Sequence, residues 1–226
     1  MAIQLKSTRN VAINGVKLLV YGQAGAGKTT LIRTLPDPIV LSAEAGLLSL
    51  RDSDIPYIEI SDMATLREAY EWLANSDEAK QFKSVALDSI SEIGEVVLSA
   101  EKKKSGDPRQ AYGAMQDQMA DVIRSFRDLP GRHVYMSAKA EKAQDDQGHI
   151  LQSPGMPGNK AAQSLPFYFD EVLALRVHRT EDNQTQRALM CHSDGVWQAK
   201  DRSGKLDFWE APDLGAIINK ISGEAQ

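Results

Sequence analysis

One cysteine, Cys191, in 226 residues leaves no second thiol for an internal disulfide and none for a multi-cysteine metal site. The four histidines, His133, His149, His178 and His192, show neither H-x-x-x-H nor H-x-E spacing, so a structural zinc site is not expected. No apolar run approaches the ~20 residues that a membrane span needs, and residues 1–10 lack the apolar centre of a secretory signal. The expectation is a cytoplasmic protein that touches no membrane. Positive charge is also short: 26 Lys and Arg stand against 31 Asp and Glu, a net charge of −5. No global field then attracts a polyanion, and any nucleic-acid contact must use a local basic surface. Internal repeats and low-complexity segments are missing as well. A hydrophobic share of 42% and a charged share of 25% are those of an ordinary globular chain, long enough for one large domain.

What the chain does have is Gly22-Gln23-Ala24-Gly25-Ala26-Gly27-Lys28-Thr29, a complete G-x-x-x-x-G-K-[ST] loop directly after the apolar run Leu18-Leu19-Val20-Tyr21. Its glycines permit φ > 0, and their bare backbone lets successive N–H groups converge on phosphate oxygens. The spacing predicts a strand over 17–21 and a helix from 28 to about 35. Lys28 would then reach the β- and γ-phosphates, Thr29 would offer a hydroxyl to Mg²⁺, and Thr30 would stand beside them at the helix start. A chance Gly-rich turn would not bring strand, loop and helix in that order. Binding of a nucleoside triphosphate, ATP with Mg²⁺, is implied.

Along the rest of the chain the pattern alternates between strand and helix. Residues 1–15 form a short polar lead-in with an edge strand near 11–13, and 16–226 form the domain. Residues 35–38 break the first helix; 39–41 and 57–60 are strands. The Thr65-x-x-Glu68 capping box starts a helix with Leu66, Tyr70 and Leu73 inward. Residues 84–88 are a buried strand ending in Asp88, followed by helices over 89–104 and 110–129. The second carries Tyr112, Met115, Met119, Val122 and Phe126 as one apolar stripe. Residues 133–137 are another central strand. The stretch 139–158, rich in Gly and Pro, reads as a long structureless loop. A turn of helix follows at 160–165, then a strand over 172–178, a late hairpin of 187–192 and 196–200 about residues 193–195, and a short helix over 212–221. The fold class is α/β, with a mostly parallel central sheet flanked by helices and a late β-hairpin.

Two acids stand at strand ends, where ligands bind in open α/β sheets. Asp88 suits the Mg²⁺ shell opposite Thr29; a helix N-cap is its plainer role, compatible with the first. Glu44 suits the orientation and deprotonation of water, against the plainer role of a solvated loop acid. Glu92, one turn past Asp88, competes for that task. Lys102, Lys103, Lys104 and Arg109 form a basic run that is either a solvated loop or a contact to nucleic-acid phosphates.

With these residues in order, the chain resembles the ATPase core of the RecA-like recombinases. It resembles more closely the phage-encoded nucleotide-binding proteins that consist of a bare recombinase core and act in single-strand annealing. The resemblance runs over about 16–221, and Ala43-Glu44 at the second strand end is its more diagnostic piece. It implies that Glu44 activates water for ATP hydrolysis. Lys200-Asp201-Arg202-Ser203-Gly204 resembles a K-x-R-x-G element inserted into a neighbour's nucleotide site, where Lys200 and Arg202 would neutralise γ-phosphate charge in a ring or filament of identical subunits. The loop at 139–158, with Lys139 and Lys142, matches the position of the family's second DNA-binding loop, and Lys102 to Arg109 falls near the first. Single-stranded DNA is the implied partner, with a single-stranded-DNA-binding protein as a further one. One departure is Ser137-Ala138-Lys139, where the recombinases carry a glutamine sensor. Two rivals stand beside this reading: a P-loop kinase, which would need an arginine-rich lid segment, and an assembly ATPase that never touches DNA, which the net acidity favours.

Overall fold

The computed structural model describes residues 14–44, 46–144, 147–180 and 182–223. The lead-in expected over 1–15, with its edge strand at 11–13, lies outside them except for Asn14 and Gly15. In chain order the elements are β1 (Lys17–Gly22), α1 (Lys28–Leu31) continued by a 3-10 turn (Ile32–Thr34), β2 (Pro38–Ser42), β3 (Tyr57–Glu59), α2 (Met63–Asn75), β4 (Ser84–Asp88), α3 (Ile90–Lys104), α4 (Pro108–Arg127), β5 (His133–Gln144), β6 (Ile150–Gly155), α5 (Asn159–Tyr168), β7 (Glu171–Arg179), β8 (Thr185–Met190), β9 (Lys200–Asp201), β10 (Trp209–Glu210) and α6 (Leu214–Ser222).

β1 is buried at every position, as a continuous apolar run must be when both faces of a sheet are covered. It sits centrally in the order β10-β8-β7-β1-β5-β4-β2-β3, in which the path from β7 to β3 is parallel throughout. The antiparallel strands β8 and β10 extend one edge. Side-chain alternation along β1 feeds two cores. Leu19 and Tyr21 join Leu66, Ile93, Met115 and Leu165 on the face covered by α2 to α5. Leu18 and Val20 join Leu31, Ile32, Leu214 and Ile217 on the face covered by α1 and α6. The α4 stripe holds as expected: Met115, Met119, Val122 and Phe126 are buried, each contributing roughly 1.5–3 kcal/mol.

Three local expectations are corrected. α2 starts before Thr65, because the Asp62 carboxylate caps it by accepting from Thr65 N at 2.8 Å. The stretch 139–158 is not structureless. β5 runs on to Gln144 and returns as β6, with Lys139 opposite Gly155 and Gln144 opposite Ile150. Pro154 is tolerated because, among the described residues, the other edge of β6 carries only a single bridge, between Gln152 and Trp197, which does not need the missing N–H of Pro154. Gly155 has a reason too: a Cβ there would fall 2.3 Å from the Glu141 side chain laid across it. The late hairpin is β7 with β8, Arg179 pairing with Thr185 and Asn183 at φ 58 between them, not 187–192 with 196–200. Residues 194–197 instead form a tight turn on the Asp194 carboxylate, and β9 pairs with the first residues of β7.

Glu171, at the start of β7, is 1% exposed, and among the described residues its Oε2 has no hydrogen-bond partner. Burial, and then the neighbouring Asp201, push its pKa from 4.5 up to about 8. Between these values the folded chain holds a proton that the unfolded chain has released. Stability therefore falls as pH rises through that window and levels off above it. Glu171→Gln should flatten this fall, raising the thermal midpoint by several degrees above about pH 8 and little near pH 5. Calorimetry at the two pH values checks it; a parallel shift at both would show that ionisation of Glu171 is not the cause.

Candidate active site

The loop that follows β1 is shaped by its glycines. A Cβ on Gly22 would lie 2.9 Å from the Leu175 carbonyl oxygen, and Gly27 enters α1 at φ 104, a conformation that side chains disfavour. Lys28 Nζ folds back over the loop, donating to Gly22 O at 2.9 Å and Gln23 O at 3.1 Å. Burial lowers its pKa, while the Asp88 and Glu44 charges pull it the other way. Tyr135, buried beneath α1, donates its hydroxyl to Lys28 O at 2.8 Å.

The two residues assigned to the metal meet. Thr29 Oγ1 donates to Asp88 Oδ2 at 2.7 Å, although 59 residues separate them. Ser137 donates to the other Asp88 oxygen. This follows from register: Leu87 pairs with Met136, so Asp88, the last residue of β4, comes beside Ser137 within β5. Asp88 is not the α3 cap. Ser89 is, accepting from Glu92 N at 3.3 Å, which leaves the carboxylate free for the site. The Ser89 hydroxyl donates in turn to Glu44 Oε1 at 2.8 Å, and Ser42 Oγ anchors the Glu44 carbonyl at 2.7 Å. Glu44 thus stands beside Asp88, exposed and held at one oxygen.

Glu92 is engaged elsewhere, in an ion pair with Lys139 at 2.8 Å. Lys139 lies opposite Gly22 in the β1–β5 register, at the mouth of the phosphate loop as well as at the root of the β5–β6 hairpin. Its pKa is raised, first by the Glu92 hydrogen bond. Lys142 is exposed further out on β5. At the α3–α4 connection Lys102 lies over the Tyr112 ring at 5.3 Å and Lys104 pairs with Glu101 at 2.7 Å, while Lys103 and Arg109 are exposed.

Lys200 and Arg202 stand at the far end of the sheet. β9 pairs with Glu171 and Val172, and Glu171 lies opposite Leu18, whereas the phosphate loop leaves β1 after Gly22. Lys200 Nζ donates to the Pro166 and Phe169 carbonyls at 2.6 Å each. Arg202 is exposed and pairs with Asp170 at 2.7 Å. Neither reaches the chain's own nucleotide loop.

One site residue escaped the sequence. Arg187, on β8, donates Nε to Ala26 O at 2.8 Å across 161 residues, and nothing in its local pattern marks it. Among the described residues, no cluster of three or more His, Cys, Asp or Glu could hold a metal by itself.

Comparison with known proteins adds three findings. A family model described as "AAA domain" matches residues 14–203. A KaiC-like protein from the hyperthermophilic archaeon Pyrococcus horikoshii OT3 is similar in structure at 14% identity, covering 78% of this chain and 79% of that one with a TM-score of 0.45. No curated protein matches.

Proposed function

The chain belongs to the AAA domain family, with the fold of a RecA-like P-loop ATPase, and on that premise we propose that it hydrolyses ATP with Mg²⁺ as a homo-oligomer that binds single-stranded DNA. The observation that carries the hydrolytic reading is the meeting of Thr29 with Asp88 while Ser89, the next residue, holds Glu44. The donor set fits the cation: Thr29 Oγ1 and the Asp88 carboxylate are the hard oxygen donors that Mg²⁺ takes, and they would hold it together with nucleotide oxygens and water. Bound there, Mg²⁺ would neutralise charge between the β- and γ-phosphates. Lys28 would exchange its two loop carbonyls for phosphate oxygens. Glu44, with Oε1 held by Ser89, would use its other oxygen to orient water and take its proton.

The DNA reading rests on two basic places: one is the α3–α4 corner, with Lys102, Lys103 and Lys104 in the last turn of α3 and Arg109 in the first of α4, and the other is Lys142 on the β5–β6 hairpin, with Lys139 at its root. Recombination by annealing, as in the phage-encoded proteins the sequence resembles, is the finer form of this proposal. An assembly ATPase without DNA is the second reading. It is favoured by the net charge of −5 and by the engagement of Lys102 and Lys104 within the chain. The deciding experiment measures phosphate release with Mg²⁺ or chelator, with and without single-stranded DNA, alongside anisotropy of labelled DNA. Magnesium-dependent turnover with DNA bound supports the proposal, and turnover with no DNA binding at low salt selects the second reading. Phosphoryl transfer to an added nucleotide would identify a kinase.

Oligomer formation predicts shared sites. Arg202 is exposed and remote from the phosphate loop of its own chain, so it would serve a neighbour. Arg202→Ala and Lys28→Ala subunits, each inactive alone, should regain roughly a quarter of parental turnover when mixed equally, the fraction of interfaces that pair an intact loop with an intact arginine. Co-assembly verified by light scattering with no recovered phosphate release would return Arg202 to its pair with Asp170.

A further inference from the structure

A pocket of about 680 Å³ opens at the starts of β1 and β7, the end of the sheet remote from the phosphate loop, where the ends of α4, α5 and α6 converge. Of the acids that line it, two have a cation. Asp128 takes Arg127 through both oxygens, at 2.7 and 2.8 Å, and Asp170 takes Arg202 at 2.7 Å. Glu171 has none. Lys17 lines the pocket too, but register pairs Glu171 with Leu18, so Lys17, one residue earlier on β1, leaves the opposite face of the sheet. Its Nζ is spent on the Arg132 carbonyl at 2.6 Å. Lys200 spends its own on the Pro166 and Phe169 carbonyls, and Lys205 is exposed to solvent.

Glu171 Oε1 accepts from Ser203 N at 3.2 Å, whereas the buried Oε2 has no hydrogen-bond partner among the described residues. The acid beside it is Asp201, whose oxygens already accept from Gly204 N at 3.0 Å and Leu206 N at 2.9 Å. Protonated, Glu171 can share its proton with Asp201; ionised, the two are like charges without a counter-ion among the described residues. A bound cation would relieve that repulsion and satisfy Oε2 at once. The rest of the lining suits an organic one. Val16 and Ile221 are apolar, and the Phe167 ring is 79% exposed, while Tyr168 next to it already carries Arg124 at 5.2 Å. Pockets of about 300–1,000 Å³ with apolar walls and a few fixed polar groups take small organic ligands, and a free aromatic face attracts a cation.

We propose that this pocket is a second ligand site, separate from the phosphate loop, and that it binds a small organic cation, a protonated amine or amidine on an apolar body, through Glu171 Oε2 and the Phe167 ring. Ligand-observed NMR titration of the full chain tests it, with benzamidine as the probe and benzamide as its neutral isostere. At pH 9 benzamidine should bind at least about tenfold more tightly than benzamide, and its affinity should fall about tenfold at pH 6.5, where Glu171, with its pKa near 8, keeps its proton. Glu171→Gln, which keeps the shape, should remove both the preference and the pH dependence. Phe167→Ala, at an exposed ring outside the core, should cost roughly threefold. Equal binding of the two probes, or parental benzamidine affinity in Glu171→Gln, overturns the proposal. The Lys17 amine, which burial pushes down to about 8, loses its charge over the same range; pH dependence that survives Glu171→Gln would belong to Lys17 and overturn the role of Glu171. Displacement of benzamidine by Mg-ATP would put the probe in the nucleotide site and overturn the proposal as well.

Discussion

Lys28→Ala should abolish ATP turnover and weaken nucleotide binding while leaving the fold in place. The lysine is the only cation that the phosphate loop itself supplies. Among the described residues its ammonium donates to two loop carbonyls, at 2.9 and 3.1 Å, so truncation costs the folded state on the order of 1 kcal/mol per bond. Against a triphosphate the loss is larger. A hydrogen bond to a charged group is worth about 1.5–3 kcal/mol, or one to two orders of magnitude in affinity. Charge stabilisation in the transition state adds a further factor of about 10²–10³ in rate. Phosphate release below detection, with a melting temperature near that of the parent, is the expected pair of results. Normal turnover in a folded Lys28→Ala protein would remove the loop from the chemistry and, with it, every role assigned around it.

How much of this site could be read beforehand depended on the distance over which each residue acts. The loop is contiguous, so its chemistry is written in eight consecutive residues. Asp88 and Glu44 were visible because each ends an apolar run, and in a parallel sheet the ends of such runs come together whatever lies between them. The α4 stripe was visible because period fixes its inward face. Pairing choices were harder. Whether 139–158 wanders or folds back depends on β6 finding the extension of β5, and on Gly155 making room for Glu141. The site of the late hairpin depended on which segment β7 chose as its partner: residues 185–190 pair with it as β8, and Lys200 and Asp201 pair with its first residues. The cap of α2 moved because Asp62, three residues earlier, accepts from Thr65 N and so draws Thr65 into the first turn. Arg187 was beyond reach altogether. An arginine on an exposed strand has no local signature of the carbonyl it meets on a loop 161 positions earlier.

Glu44→Gln should separate binding from hydrolysis. The substitution is nearly isosteric, and its amide oxygen can still accept from the Ser89 hydroxyl, now 2.8 Å from Oε1. What it cannot do is take a proton from water. Turnover should fall about 10²–10⁴-fold, the usual worth of a positioned general base, while Mg-ATP affinity stays within a few-fold of the parent. Asp88→Asn should behave differently. It removes a negative charge from between Thr29 and Ser137, and it turns an amide N–H₂ toward one of two hydroxyls that now donate to carboxylate oxygens. Binding itself should then need more Mg²⁺, shifting the magnesium midpoint by about 10-fold or more. The two variants are told apart by titrating Mg²⁺ at fixed ATP and following binding and phosphate release separately. Glu44→Gln lowers the plateau of release without moving the midpoint; Asp88→Asn moves the midpoint. Normal release from Glu44→Gln would place the base elsewhere. Glu92 is then next, and its ion pair with Lys139 at 2.8 Å makes that alternative testable by Glu92→Gln in the same assay.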